Sequence, residues 1–475
     1  MESIIHRHLE DTRKAAEDPI RIRDILTKAR ERALLKDLSP EAEYLQGLDL
    51  EEAATLLNID VSNSTLMDEL FDTALAIKKA IYGNRIVLFA PLYISNWCQC
   101  SCQYCGFRGT NKDIRRTILS DEEVIKEVEE LQRQGHKRLL VLAGEHPKYT
   151  FEDVLHSIDV ISSVKTEPNG EIRRINVEIF TLTTEQFKDL KATKQVGTYA
   201  LFQETYHRET YKKMHPWGPK SDYDWRYRTM DRAIEGGLDD VGIGALFGLY
   251  DYRFEVLGLL SHAQHLDNTY GIGPHTISVP RLQPAHNTPL TQAPPASVSD
   301  ADFKKLVAVI RCAVPYTGII LTTRESPQIR RDLYHIGVSQ ISAGSATSPG
   351  GYHNKKDCTD EEQFSLSDTR PTHVVIKELI ELGFIPSWCT ACYRLGRTGE
   401  AFMKMAKQGK IQDCCHPNAL LTLCEYLHDY ADEETHQMGM QLIQEEKASI
   451  TSLKRREDFE VLLQRTNEGD RDLHF

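Results

Sequence analysis

The chain has 475 residues, 57 lysines and arginines against 70 aspartates and glutamates, and a formal charge of −13. Hydrophobic residues at 40% and charged residues at 27% fit a globular protein with one large α/β barrel and appended segments, or two to three smaller domains. The acidic balance argues against nucleic acid as a partner, no apolar run reaches the length of a membrane span, and the charged first segment is unlike a secretory signal; a cytoplasmic location, where thiols stay reduced, is therefore expected.

Residues 1–84 read as a helical segment. Asp49-Leu-Glu-Glu52 is a capping-box pattern ahead of Ala53, Leu56 and Leu57. Ser39-Pro40 has the form of an N-cap followed by proline at the first helical position. No chemistry-bearing pattern falls here, and a helical cover is expected. From residue 85 short apolar runs alternate with amphipathic helices. Strands are expected at 86–92, 138–143, 175–180, 198–204, 240–243, 276–279, 318–322 and 338–343. Ser120/Glu123, Thr150/Asp153, Thr183/Gln186 and Ser299/Asp302 mark helix starts between them. Eight strands, each followed by a helix-sized stretch, point to an α/β fold with a parallel sheet. Closed over 85–345, it makes a TIM-type (β/α)8 barrel; an open doubly wound sheet is the alternative. The polar stretch 345–368 reads as a long loop or linker, and 346–475 as a mostly helical C-terminal extension.

The eleven cysteines are clustered. Four fall at Cys98, Cys100, Cys102 and Cys105, and four at Cys389, Cys392, Cys414 and Cys415. Cys312, Cys358 and Cys424 stand alone, and Cys312 and Cys424 lie in apolar helical patterns where a thiol serves as a small hydrophobe. Clustered thiols in a reducing compartment point to metal ligation or catalysis. The first group follows the first expected strand, at the barrel face where active sites are built. Cys98, Cys102 and Cys105 are spaced C-x3-C-x2-C, and three such thiolates can hold three irons of a 4Fe–4S cube while leaving the fourth open. Cys100 has no role in that set. Zinc would need a fourth local ligand, and no histidine is near.

That motif, with Tyr104 before the third cysteine, resembles the signature of the radical S-adenosylmethionine superfamily. The resemblance implies a 4Fe–4S cluster that binds S-adenosylmethionine and yields a 5′-deoxyadenosyl radical, with Tyr104 beside the adenine. Ala143-Gly144-Glu145, after the second strand, resembles the superfamily's Gly-Gly-Glu motif with alanine in the first place. Its backbone would receive the cofactor's amino end, and Glu145 would add a polar contact. Gly242-Ile-Gly244 resembles a cofactor-adjacent glycine segment. FAPLYISN before the first cysteine and CGF after the last are similar to the aromatic amino-acid lyase branch, as is Leu321-Thr-Thr-Arg-Glu325, where the Arg324 guanidinium suits bidentate capture of a substrate carboxylate.

Cys389-Thr-Ala-Cys392 with Cys415 gives C-x2-C-x22-C. This resembles the tyrosine lyases of FeFe-hydrogenase maturation and is not expected in the thiamine-pathway lyase. It implies a second, 4Fe–4S-type cluster with an additional labile iron, held partly by a histidine and by a free amino acid such as cysteine. The matching histidine is read as His265, with His262 one helical turn away competing for the role. A Cys3His zinc including His416 is the alternative. The implied activity is cleavage of the tyrosine Cα–Cβ bond to p-cresol and dehydroglycine, with conversion to carbon monoxide and cyanide at the second cluster. An electron donor and hydrogenase maturation proteins are the implied partners. A 2-iminoacetate synthase of thiamine biosynthesis, an iron–sulfur scaffold or carrier, and a zinc-binding structural protein remain open.

Overall fold

The computed structural model describes residues 1–34, 47–354, 361–408 and 410–475; the Ser39-Pro40 pair and Cys358 lie outside the described residues. Four helices, Glu2–Asp11, Pro19–Leu34, Leu50–Leu57 and Ser64–Tyr82, form the N-terminal cover. The Asp49/Glu52 capping box is formed on both sides. The last helix is sewn to the body by buried groups. Lys78 donates to Tyr334 O (3.0 Å), and Tyr82 Oη donates to Tyr316 O (2.5 Å).

The strands that follow are β1 (Arg85–Ser95), β2 (Arg138–Ala143), the short pair β3 (Lys165–Thr166) and β4 (Gly170–Glu171), β5 (Arg174–Glu178), β6 (Val196–Glu204), β7 (Val241–Ala245), β8 (Thr276–Ser278), β9 (Gly318–Leu321), β10 (Gln340–Ser342) and β11 (Ile385–Ser387). Strands β1, β2 and β5 to β10 pair in parallel sequence, and β10 pairs back to β1 through Val87↔Gln340 and Phe89↔Ser342, which closes an eight-stranded barrel. β1 reads RIVLFAPLYIS and is buried along nearly its whole length, as a parallel strand covered on both faces must be. Capping boxes at Ser120, Thr150 and Thr183 start the helices after β1, β2 and β5, and Ser299 caps the helix before β9 by accepting from Asp302 N.

Two elements were not expected. β3 and β4 form a small antiparallel hairpin outside the barrel. β11 comes from the C-terminal extension and pairs with Arg85–Val87, the N-terminal end of β1. The cause is an offset between strands. β1 begins at Arg85 but pairs with β2 only from Ala90 onward, so the start of its β2-facing edge would be open. Pro386 is tolerated because β11 is itself an edge strand. The stretch read as a linker is also more than that: its described residues cross the barrel mouth. Gln363 N donates to Thr347 O (2.9 Å), Gly106 N donates to Gln363 O (2.9 Å) and Ser365 N donates to Pro284 O (2.8 Å).

Candidate active site

At the end of β1 the pairing with β2 shifts register between Tyr93 and Ser95, and the chain turns into the first cysteine loop. Asn96, fully buried, ties the base of that loop. Its Nδ2 donates to Arg115 O (2.8 Å) and its Oδ1 accepts from Thr117 N (2.7 Å). The Arg116 guanidinium donates to the carbonyls of Asn96, Phe107, Arg108 and Asn111 at 2.6–3.0 Å. One fixed fork of donors thus gathers the loop into a ring. Sequence inspection missed Arg116, because carbonyl ligation leaves no residue pattern.

Cys98, Cys102 and Cys105 are neighbours inside this ring. Burial raises the pKa of the Cys102 thiol to about 12 and raises Cys105 as well, with the other thiols adding to the effect. Cys100 donates to Cys98, which lowers the Cys98 pKa, and its own sulfur lies 3.6 Å from Glu145 Oε2. Gly144 is sterically required: an added Cβ would meet Trp97 O at 2.2 Å and Cys98 Cβ at 3.0 Å. The end of β2 therefore lies directly against the loop, with Glu145 half-buried beside the thiols and raised by burial. Tyr104 is buried, with its hydroxyl 2.8 Å from His215 Nε2. Gln363 of the mouth segment accepts from Tyr93 Oη (2.8 Å) and places its Nε2 3.6 Å from Cys105 Sγ.

Below the loop a channel runs through the barrel. Its upper wall includes Tyr93, Glu178, Arg324, Gln363 and Phe364. The Arg324 guanidinium stacks 3.3 Å above the Phe364 ring centre. Among the described residues no carboxylate is in ion-pair reach of it, whereas Glu325 beside it is held by Arg281 (3.0 and 3.1 Å). The two adjacent charges of the Thr-Arg-Glu segment therefore differ: Glu325 anchors the loop and Arg324 is left facing the channel. Burial, with the charge of Glu204, raises Glu178 to about 7.

The lower end of the channel is lined by Arg138 and Arg174, the first residues of β2 and β5, by His275 just before β8, and by Gln340. Here the second cysteine group meets the barrel. Cys389 lies two residues beyond β11, and Cys392 donates to Cys415, which, with Arg85, lowers the Cys415 pKa. Cys389 is coupled electrostatically to Cys415 and to Arg85 and Arg138. Arg138 also donates to Cys389 O (2.9 Å). Asp240 is the hub that joins barrel and extension, accepting from Arg174 (3.2 Å), Thr198 (2.9 Å) and Tyr393. Cys414 stands apart, accepting from Arg397 (3.1 Å) and Arg455 (3.3 Å).

The electrostatics of the lower end bear on whether its thiols suit an iron–sulfur cluster. Arg85 and Arg138 are 7% and 6% exposed, and among the described residues neither has a carboxylate in ion-pair reach. Leaving a buried charge without its partner costs about 3–5 kcal/mol, and thiolates on Cys389, Cys392 and Cys415 supply the counter-charge. Among the described residues no three His, Cys, Asp or Glu side chains converge as one metal ion requires. Each end of the channel thus offers three thiols, the donor type that iron–sulfur clusters take, and at the lower end the unpaired buried arginines fit the negative charge of such a group.

His265 is not at this end. It sits within the helix Tyr252–Tyr270, outside the barrel wall, with Nε2 2.7 Å from Asp231 Oδ1. His262 is buried with Nδ1 3.0 Å from Tyr206 Oη. His275 is the histidine that lines the lower channel. Its ring packs 4.4 Å from Phe402 and 6.5 Å from Tyr393, its Nδ1 lies 3.6 Å from Asp240, and burial lowers its pKa to about 4. A residue immediately before a barrel strand sits at the N-terminal face of the barrel, and this was the usable signal in GPHTIS.

Comparison with known proteins follows the same outline. The Radical SAM superfamily profile matches residues 92–260, and the Biotin and Thiamin Synthesis associated domain matches 278–385. The fold is similar to the crystal structure of HydG, a maturase of the FeFe-hydrogenase: 49% identity and a TM-score of 0.92 over 100% of this chain and 99% of that one. It is also similar to HydG from Carboxydothermus hydrogenoformans, at 39% identity and a TM-score of 0.81 over 97% and 98% of the two chains. The sequence is 32% identical to the 2-iminoacetate synthase of Salmonella typhimurium over 67% of this chain and 81% of that protein.

Proposed function

The chain belongs to the radical S-adenosylmethionine superfamily, in the group that holds the HydG maturases and the 2-iminoacetate synthases, and from that premise we propose that it cleaves the Cα–Cβ bond of L-tyrosine. The products are p-cresol and dehydroglycine, and the latter yields carbon monoxide and cyanide at the lower end of the channel, for assembly of an FeFe-hydrogenase active site. The observation that carries this reading is the second cysteine set, Cys389, Cys392 and Cys415, lying against buried Arg85 at the far end of the channel from the first. The likeness to HydG over the whole chain supports it, while the synthase match covers two thirds.

A 4Fe–4S cluster on Cys98, Cys102 and Cys105, with S-adenosylmethionine, supplies a 5′-deoxyadenosyl radical when bound. The residues of the chain bind and shield. Tyr104 and the Gly144-Glu145 turn border the cofactor, Arg324 takes the tyrosine carboxylate, and the mouth segment around Gln363 and Phe364 keeps water out. Below, Arg85 and Arg138 offset the charge of the second cluster, and His275 takes the place first read for His265 as the histidine of the labile iron, with a free amino acid such as cysteine completing that site. Anaerobic reconstitution with iron, sulfide and tyrosine, followed by product analysis, tests the reading. p-Cresol with carbon monoxide and cyanide is expected; p-cresol and dehydroglycine alone would make the protein a 2-iminoacetate synthase. Absence of 5′-deoxyadenosine would leave an iron–sulfur scaffold.

Two substitutions refine the assignment. Arg324→Lys keeps the charge and loses the fork, so tyrosine affinity should fall by the value of a charge-assisted bidentate pair, about 1.5–3 kcal/mol, or roughly tenfold to a hundredfold. Uncoupled cleavage of S-adenosylmethionine should persist, and unchanged tyrosine affinity rules the role out. His275→Ala should lower carbon monoxide yield and leave p-cresol in place, whereas His265→Ala should change neither. The reverse pattern restores the first assignment.

A further inference from the structure

Tyr104, which borders the cofactor in the reading above, is itself held from behind. We propose that His215 is a positioning residue for S-adenosylmethionine: it anchors the Tyr104 hydroxyl, fixes the ring against the adenine end of the cofactor, and so contributes to the cofactor's affinity. The inference rests on the role given to Tyr104 above. His215 is buried and comes directly after the helix Arg208–Met214. Its Nδ1 lies 2.9 Å from Tyr211 O and its Nε2 2.8 Å from Tyr104 Oη. A carbonyl only accepts, so Nδ1 carries the ring hydrogen. Burial, with the charges of Lys220 and Arg226, keeps the imidazole neutral, which leaves Nε2 as an acceptor. Tyr104 is therefore the donor, and the pair has a single arrangement. The two rings meet edge to face at 5.5 Å, and the Tyr211 ring packs 4.2 Å from the imidazole.

The backbone around His215 is fastened to the cysteine loop as well. Gln103 N donates to Met214 O (3.0 Å), and Ser101 N donates to Trp217 O (3.3 Å). Trp217 N donates to Ser101 Oγ (2.9 Å), which donates back to Trp217 O (2.8 Å). Gly218 follows at φ +95°, where an added Cβ would meet Cys100 Cα at 2.9 Å. Residues 214–218 therefore lie along the loop as a splint, and the His215 side chain reaches from that splint to the tip of Tyr104. The Tyr104 ring also shares an apolar cluster with Met214, Leu246 and Leu249, but none of these can hold its hydroxyl. Without His215 the hydroxyl would be left buried and unpaired, and the ring would gain freedom that cofactor binding must then remove.

The test uses the full chain reconstituted with iron and sulfide, with the variants Tyr104→Phe, His215→Phe, the two combined, and His215→Gln. The dissociation constant of S-adenosylmethionine is read by calorimetry beside iron content. Each single Phe variant should bind it about tenfold more weakly, the value of one buried neutral hydrogen bond. The double variant should be no weaker than the weaker single one, because both remove the same bond. His215→Gln keeps an acceptor in reach of Tyr104 and should recover most of the affinity. Tyrosine binding at saturating S-adenosylmethionine should hardly move, which a general loosening of the loop would not allow. Unchanged cofactor affinity in Tyr104→Phe, which removes one oxygen atom and is the mildest change for folding, overturns the proposal, as does additive weakening in the double variant. Failure of the unmodified, iron-loaded protein to bind S-adenosylmethionine removes the reading of the first site, and the inference with it. Cofactor binding without p-cresol removes the tyrosine lyase reading alone and leaves His215 its role.

Discussion

Alanine at any one of Cys98, Cys102 or Cys105 is expected to abolish reductive cleavage of S-adenosylmethionine. Each supplies one of three thiolates on a single loop, and Arg116 holds that loop in one ring through four backbone carbonyls. Two remaining thiolates leave two cluster corners without a protein ligand, so the cluster is lost rather than weakened. Cys100→Ala removes a thiol that packs with Met214, Leu246 and Leu249 and faces Glu145, so it should keep most of the activity. Iron content and 5′-deoxyadenosine yield, measured side by side for the four variants, decide the ligand set. Because Cys100 also adjoins Cys98, an active Cys98→Ala with an inactive Cys100→Ala would exchange their roles.

The barrel was legible because its strands are apolar on both faces and its helices begin at side-chain caps, two signals that are local. The eight expected strands lie within a few residues of β1, β2 and β5 to β10. β11 was not legible. Its pairing depends on β1 starting ahead of its partner β2, whose pairing begins only at Ala90, a matter of register between strands far apart in the chain, and Pro386 argues against a strand when read alone. The mouth segment failed for a related reason: a polar, glycine-rich stretch reads as a linker whether or not its backbone is paired to another loop. In the candidate site, the cysteines and Arg324 stood out by spacing and motif. Arg85, Arg138, Arg174 and His275 did not, since each looks like the ordinary start of a strand until barrel closure brings those starts to one rim. The resemblance points to His265, after the fifth strand, but the helix that carries it turns the ring away to Asp231.

The second large effect concerns the division of labour along the channel. Cys389 and Cys392 belong to the extension, not to the loop after β1, and the two cysteine groups sit at opposite ends of the barrel strands. Removing both should strip the second cluster, leaving Arg85 and Arg138 without their counter-charge and loosening the lower end by several kcal/mol. The upper end is held by separate contacts, those of Asn96, Arg116 and Gln363, and should still bind S-adenosylmethionine and cleave tyrosine. The measurement that bears most directly on the whole account is therefore parallel quantification of p-cresol and carbon monoxide from Cys389→Ala/Cys392→Ala after anaerobic reconstitution. Retained p-cresol with carbon monoxide abolished is the predicted result. A normal yield of carbon monoxide, or loss of both products from a protein whose first cluster still binds S-adenosylmethionine, would contradict it.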